Sequence, residues 1–458
     1  MGRLRRVLIA NRGEIAVRIL RACVDEDIEA VLAVSQPDRE SLAAMLADQV
    51  ICIGPASATE SYLDINRVVA AAKVTGCDAL HPGYGFLSER PELADECAEA
   101  GIVFVGPSGD AMRRSGDKAT ARGVARELGI PIGEGSDVLS TEQEARTVAE
   151  HVGYPILIKA SAGGGGRGMR RVDRAEELAG AYAAASAEAQ QAFGDGRLFV
   201  ERYVRRARHV EVQVLADGQD GVIHLGHRDC TLQRRYQKLV EEAPATGLPT
   251  AVDQGILDAA IRLIGALDYQ GAATCEFLVD AERGTFAFLE VNARLQVEHP
   301  VSEMVTGIDV VREQLRIAGG TPITLEQDEI ALTGHAVEAR INAERPENGF
   351  MPSPGTITKW AAPVASHLRV ETACYPGWTI TPHYDSLLAK VVAYGGDRPH
   401  ALHRLRHALR RLRVGGVPTT AHFAHDVLSH PDVIEGHVHT KWLEEAFLPE
   451  WRPEEVAA

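Results

Sequence analysis

The chain has 458 residues, 45% of them hydrophobic and 24% charged, which is the composition of a globular protein with about three folding units and excludes disorder, collagen and coiled coil as its main organisation. A formal net charge of −16 repels nucleic acid and anionic membrane, so any anionic ligand must be held by a local cluster of bases. Seven cysteines without a CxxC pair argue against a disulfide framework or structural zinc and predict buried, apolar thiols, and no apolar stretch is long enough to span a bilayer, so the sequence reads as cytoplasmic.

Residues 7–10, the turn Asn11-Arg12-Gly13-Glu14, then Ile15, Ile19 and Leu20 at helical spacing and residues 30–34 predict strand, loop, helix and strand, one βαβ unit. Short apolar runs at 50–53, 79–80 and 102–105 alternate with helical stretches, the pattern of a parallel sheet covered by helices, ending between Pro107 and Gly116. The loop His81-Pro82-Gly83-Tyr84-Gly85-Phe86 follows a strand, where α/β sheets place ligands; a purely structural turn is the plain alternative.

A different unit begins near Gly129. Residues 155–160 read as a strand, the run from Gly163 to Gly168 as a loop, residues 169–172 as a second strand, and Asp173 with Glu176 as the cap of an Ala-rich helix reaching about Ala192. The run satisfies GxGxxG, but a dinucleotide fingerprint needs its last glycine at the mouth of a helix, and no GKS or GKT follows for a P-loop. Five glycines with Arg167 beside Lys159 supply free backbone donors and positive charge, which favours a flexible phosphate-covering lid over a plain glycine hairpin.

Residues 198–201, 210–214, 274–279 and 285–291 alternate like antiparallel strands, the last two joined by 280–284, and a helical stretch covers 308–318. Glu276 and Glu290 have the same parity, so an even register sum would put both carboxylates on one face. With Asn292 they form an oxygen-only set suited to Mg²⁺, or else they are solvated acids. The segments 290–300 and 228–238 crowd Arg, Lys, Gln and His into an acidic chain, and anion binding is the economical reading. From His335 to about Leu448 lies a third, mixed region, in which leucines 402, 405, 409 and 412 give the basic stretch 398–413 an apolar stripe and predict a packed helix.

The segments 9–16 (Ile-Ala-Asn-Arg-Gly-Glu-Ile-Ala), 81–89, 159–169, 228–244, 290–306 and 334–344 together resemble the biotin carboxylase component of biotin-dependent carboxylases, members of the ATP-grasp superfamily, over residues 7–448. The resemblance implies an α/β and α+β chain: a Rossmann-like domain (1–115), an ATP-grasp domain (116–330) with a lid at about 130–204, and a C-terminal biotin carboxylase domain (331–458). It implies ATP contacts at Lys118, Lys159, Gly163, Gly164, Gly165, Gly166, Gly168, Glu201, His209, Gln233 and Tyr236, with Mg²⁺ or Mn²⁺ on Glu276, Glu290 and Asn292. Bicarbonate would lie against Lys238, Arg294, Gln296 and Val297, with Glu298 as the base that deprotonates it; Arg340 would stabilise the biotin enolate, and Tyr84 would lie near biotin. Tyr236 stands where the family often has His, Arg202 where it has Lys, Ser115 where it has Met and Ala273 where it has Gly, departures that bear on nucleotide affinity.

The implied reaction is ATP-dependent carboxylation of biotin through carboxyphosphate, the first half-reaction of an acetyl-CoA or acyl-CoA carboxylase of fatty acid biosynthesis. A homodimer is implied. With no Met-Lys-Met biotinylation motif in the sequence, biotin is expected on a separate carrier protein, with the carboxyltransferase on another chain and no nucleic-acid or membrane partner. A different ATP-grasp ligase, joining a carboxylate to an amine, is the alternative enzyme; a nucleotide-binding regulatory subunit is the non-enzyme reading, disfavoured by the full set Lys238, Arg294, Glu298 and Arg340.

Overall fold

The computed structural model describes residues 3–161, 168–219 and 221–452. Its first layer grows from the apolar runs of the N-terminal third: β1 (Arg6–Ile9), β2 (Glu29–Ser35), β3 (Gln49–Gly54), β4 (Ala79–His81) and β5 (Val103–Phe104) form a parallel sheet in the order β3-β2-β1-β4-β5. The helix Gly13–Asp25 crosses from β1 to β2, burying Ile15, Ile19 and Leu20 against that sheet. Its entry is fixed by Asn11, whose amide donates to the carbonyls of Pro82 (2.7 Å) and Tyr84 (2.8 Å). Gly83 has φ +62 and a Cβ there would lie 2.9 Å from the Asn11 amide nitrogen, so the 81–86 loop needs glycine at that point.

The second unit is a small three-stranded antiparallel sheet, β6 (Ile156–Ala160) between β7 (Arg170–Val172) and β8 (Leu198–Arg202). It packs the helices Glu142–Val152 and Leu178–Phe193 around a core of its own that includes Ile156, Ile158, Val172, Leu178, Ala185 and Val200. The glycine run therefore joins strand to strand, as expected, although Gly163 to Gly166 lie outside the described residues; Gly168 takes φ +69 and its carbonyl accepts from Ala160 N. The cap is a correction. Asp173 is paired with Arg171 (2.6 Å), its backbone amide is taken by Glu177 rather than Glu176, and a 3-10 turn at Ala175–Glu177 leads into the helix without a side-chain cap.

The largest layer is an eight-stranded sheet built from β9 (Ala207–Asp217), β10 (Val222–Arg234), β11 (Gln237–Ala243), β12 (Gln270–Asp280), β13 (Thr285–Asn292), β14 (His335–Asn342), β15 (Leu368–Thr372) and β16 (Leu387–Gly395). Its order is β13-β12-β9-β10-β11-β14-β16-β15, so β11 and β14, far apart in sequence, are hydrogen-bonded neighbours. The helix Thr250–Gly265 covers one part of it through Val252, Ile256, Leu263 and Ile264. The basic helix Arg398–Arg411 covers another, with Leu402, Leu405 and Leu409 inward and Asp397 capping from the His400 amide at 2.9 Å. Six of the seven cysteines are buried as expected; Cys52 is exposed.

Candidate active site

The three layers enclose a cavity of about 1250 Å³ lined by residues of each, among them Lys118, Lys159, Glu201, His209, Gln233, Lys238, Glu276, Glu290, Arg294 and Arg340. Strand register explains much of its floor. Across the sheet, Glu290 faces Glu276, Glu276 faces Glu211 and Glu211 faces Arg228, and directly opposed residues project from one face. The even register sum for Glu276 and Glu290 is met; a bulge after Glu276 confines it to that end of the hairpin.

A row of three glutamates in one face needs cations, and they are present. Arg228, fully buried, donates to Glu211 at 2.6 Å, Gln213 at 2.8 Å, Ser302 at 3.0 Å and Thr274 at 3.1 Å. Lys238 Nζ reaches three carboxylates, Glu211 at 2.5 Å, Glu298 at 2.6 Å and Glu276 at 3.1 Å. His209 Nε2 lies 2.9 Å from Glu276, whose own burial would raise its pKa but which Lys238 and His209 hold below the usual carboxylate range.

Glu298 is the convergence point. One oxygen takes Lys238 and the other takes Arg340 Nη2 at 2.8 Å, while Arg340 Nε donates to Glu241 at 2.6 Å. Burial pushes the Glu298 carboxyl up, but Lys238, Arg340 and Arg228 outweigh it and keep it ionised, well below the usual range. Beside it Arg294 is fixed by Glu89 (2.9 Å), Gln296 Oε1 (2.9 Å) and Asn292 Oδ1 (3.1 Å), and the Val297 carbonyl accepts from buried Lys390 at 2.9 Å.

The expected nucleotide residues line the same cavity. Lys159 and Arg122 both pair with Glu201, Lys118 pairs with Glu290 at 3.2 Å, and Gln233 lies 3.4 Å from His209 Nδ1. Tyr236 stands at the cavity mouth, 41% exposed, with Lys441 Nζ 4.4 Å from its ring centre. It and Arg235 form a two-residue hairpin turn with φ of +65 and +48, a conformation that costs bulky residues energy. Glu444 helps to hold it by accepting from Arg235 N at 2.8 Å. Tyr84 lines the cavity too and hydrogen-bonds buried Glu14, which also pairs with Lys390 at 3.1 Å.

Glu276, Glu290 and Asn292 are brought together by register, and Asn292 Nδ2 donates to Glu276 at 3.0 Å. Their carboxylate and amide oxygens match what a hard divalent cation takes, so the residues fit Mg²⁺. Within the cation-rich segment 228–238, Arg228 is consumed inside the sheet by Glu211, Arg234 lies over the Phe350 ring at 4.0 Å, and Lys238 is the cation that lines the cavity and spans Glu211, Glu276 and Glu298. Sequence reasoning did not single out Glu211, Glu241, Arg122 or Lys390.

Models of protein families match the chain in three consecutive parts. These are "Biotin carboxylase, N-terminal domain" over residues 3–112, "Carbamoyl-phosphate synthase L chain, ATP binding domain" over 117–326 and "Biotin carboxylase C-terminal domain" over 338–445. The biotin carboxylase of Pseudomonas aeruginosa is 47% identical over 443 residues and biotin carboxylase 1 of Bacillus subtilis 45% identical over 442, each match covering 96% of this chain and 98% of the relative. Among solved structures, a biotin carboxylase complex with β,γ-ATP from Campylobacter jejuni superposes with a TM-score of 0.93 at 43% identity, covering 96% of this chain and 98% of that one. The biotin carboxylase domain dimer of Hydrogenobacter thermophilus 2-oxoglutarate carboxylase, with MgADP, ADP and bicarbonate, does so with 0.94 at 41% identity over 99% and 100%.

Proposed function

The chain belongs to the biotin carboxylase family, and from that membership we propose a division of labour among the residues that line its cavity. It is an ATP-grasp ligase that uses ATP, Mg²⁺ and bicarbonate to carboxylate biotin, the first half-reaction of biotin-dependent carboxylases.

ATP lies against the cavity wall formed by Lys118, Lys159, Glu201, His209, Gln233 and Tyr236, with Gly163, Gly164, Gly165, Gly166 and Gly168 as its further contacts. Glu276, Glu290 and Asn292 would hold Mg²⁺, which supplies charge neutralisation for the phosphoryl group in transfer. Lys238, Arg294, Gln296 and Val297 bind bicarbonate, and Glu298 takes its proton so that it can attack the γ-phosphate. Before bicarbonate binds, Glu298 is a weak base because Lys238 and Arg340 neutralise it. An anion that draws Lys238 and Arg294 to itself loosens that hold, so substrate binding raises the basicity of the group that must act next. Carboxyphosphate yields CO₂ and phosphate, the phosphate removes the ureido proton of biotin, and Arg340 meets the enolate charge. Burial of this wall and closure of the lid keep water from carboxyphosphate.

The observation that carries the reading is the pairing of Glu298 with Lys238 on one oxygen and Arg340 on the other, which joins the bicarbonate step and the biotin step on one wall. The test is ADP release by the purified chain with bicarbonate, Mg²⁺ and free biotin added singly and together. Release should be fastest with all three; indifference to bicarbonate and biotin would favour a carboxylate–amine ligase.

The same reading extends to partners and setting. The chain forms a homodimer, as the Hydrogenobacter thermophilus domain does, in the cytoplasm; no described helix is long and apolar enough to cross a membrane. Biotin arrives on a carrier protein and leaves for a carboxyltransferase, both separate chains, a view supported by the near full-length match to stand-alone biotin carboxylases. That carboxyltransferase selects the acceptor; relatives are named for pyruvate and 2-oxoglutarate carboxylases as well as biotin carboxylases. The domain limits that fit this assignment are 1–115, 116–330 and 331–458.

A further inference from the structure

Next to the Glu298–Arg340 pair lies a carboxyl group that no step above uses. Register places Glu338 on β14 opposite Glu241 on β11, while Arg340, two residues on, opposes Lys390 on β16, so all four side chains share one face of the sheet. Glu338 is fully buried, and neither of its oxygens has a hydrogen-bond partner among the described residues; the second oxygen of Glu241 has none either. The neighbouring cations are already engaged. Arg340 serves Glu241 and Glu298, and Lys390 serves Glu14 and the Val297 carbonyl. An ionised carboxylate buried with no donor to either oxygen, beside two other carboxylates, is strongly unfavourable.

We propose that Glu338 is a positioning residue, a neutral carboxylic acid facing Glu241 across the strands, whose proton keeps Arg340 from being held by a further negative charge and so leaves it free to meet the biotin enolate. The inference rests on the enolate role given to Arg340. The groups facing Glu338 are Glu241 of β11, Arg340 of its own strand, Lys390 of β16 and Glu298 ahead of the helix His299–Thr306. Beyond Lys390 lie Glu14 of the helix Gly13–Asp25, Glu371 and Arg369 of β15, and His299, which burial keeps neutral. Burial, with Glu241 and Glu298 adding to it against Lys390 and Arg340, pushes the Glu338 carboxyl well above the usual range, and burial with Glu298 against Arg340 and Lys238 brings Glu241 to about 7. The sign follows: a raised carboxyl pKa means that rising pH removes the proton, so the biotin step weakens on the alkaline side while the bicarbonate step need not.

The test measures, across pH, both bicarbonate-dependent ADP release and transfer of labelled bicarbonate to biotin, for the full chain and for Glu338→Gln, which mimics the protonated acid permanently. In the unsubstituted protein the ratio of transfer to ADP release should fall as pH rises; in Glu338→Gln that fall should vanish or move by at least about one pH unit. The same pH dependence in both proteins would overturn the proposal. Should Glu338→Gln not fold, infrared difference spectra of Glu241→Gln decide: a buried carboxylic acid band at neutral pH that survives this substitution and disappears on alkalinisation is expected, and its absence overturns the assignment. That spectrum needs no turnover, so it separates failure of this inference from failure of the enolate role.

Discussion

Removing the Arg340 side chain should split the reaction in two. Arg340 makes two strong contacts, to Glu241 at 2.6 Å and to Glu298 at 2.8 Å. In Arg340→Ala, Glu298 still has Lys238 at 2.6 Å and the nearby charge of Arg228, so the base stays ionised and in place. Glu241 loses its partner, but burial already brings it to about 7 and it can take a proton instead of remaining a buried bare charge. The enolate fares worse. Lys390, the other buried cation on that face, is committed to Glu14 and the Val297 carbonyl, so nothing replaces the lost counter-charge. A preorganised donor at a developing oxyanion is worth roughly 3 kcal/mol, on the order of a 10²-fold loss in carboxybiotin formation. Bicarbonate-dependent ADP release should stay within about threefold of the unsubstituted protein, since that step keeps its base and its cations. The assay pairs ADP release with transfer of ¹⁴C from bicarbonate to biotin. Equal loss of both activities would refute the reasoning and make Arg340 part of the bicarbonate site.

Glu298→Gln is the converse: it preserves shape but cannot accept the proton, so bicarbonate-dependent ADP release itself should drop by about 10²–10⁴; near-normal release would remove Glu298 from the role of base. Tyr236→Ala removes the ring beneath Lys441 at the cavity mouth and should weaken ATP binding by roughly 0.5–1.5 kcal/mol while leaving the bicarbonate response intact, and unchanged ATP affinity by calorimetry would show the ring to be packing alone. His81 is buried and held to about 3 chiefly by that burial, against about 6.5 in an unfolded chain, so between those values the unfolded state binds the extra proton and stability is lost as pH falls. His81→Asn should flatten the pH dependence of the unfolding free energy, read from urea titrations below pH 6.5, by up to about 1.4 kcal/mol per pH unit, and an unaltered slope would contradict the buried neutral imidazole.

What the sequence disclosed and what it hid have a common cause. Glu276 and Glu290 were legible as candidates for one face because they share parity on two consecutive strands, but the four-residue turn pairs Asp280 with Thr285, and it is the bulge after Glu276, which the sequence does not announce, that brings the two carboxylates opposite each other. The βαβ start and the strand-to-strand glycine loop were legible from local pattern. Glu211, Glu241, Glu338 and Lys390 were not, because a charge on a strand reads locally as a solvent-facing position. Three of them are matched by residues brought up from elsewhere in the chain, Arg228 for Glu211, Arg340 for Glu241 and Glu14 for Lys390, while Glu338 is buried with no hydrogen-bond partner among the described residues. Arg228 misled for the same reason, its positive charge being already matched inside the sheet. At Asp173 the error was local, since Asp173 turned to Arg171 and a 3-10 turn replaced the expected cap.

The pairing of β11 with β14 implies that the spacing of the chemical groups is indifferent to the route the chain takes between them. Lys238 and Glu241 sit on one strand and Arg340 on the next, so their separation is set by backbone hydrogen bonds between Val240 and Ala339 and their neighbours. The segment 320–334 that leads into β14 is largely exposed and carries little regular structure. Residues could be added to or removed from it, at a cost that grows only slowly with length, and Arg340 would still arrive opposite the same partners. Shifting the register of β14 by a single residue would instead turn Arg340, Glu338 and their row to the opposite face. For this catalyst, ladder alignment is the tightly constrained variable and loop length the permissive one.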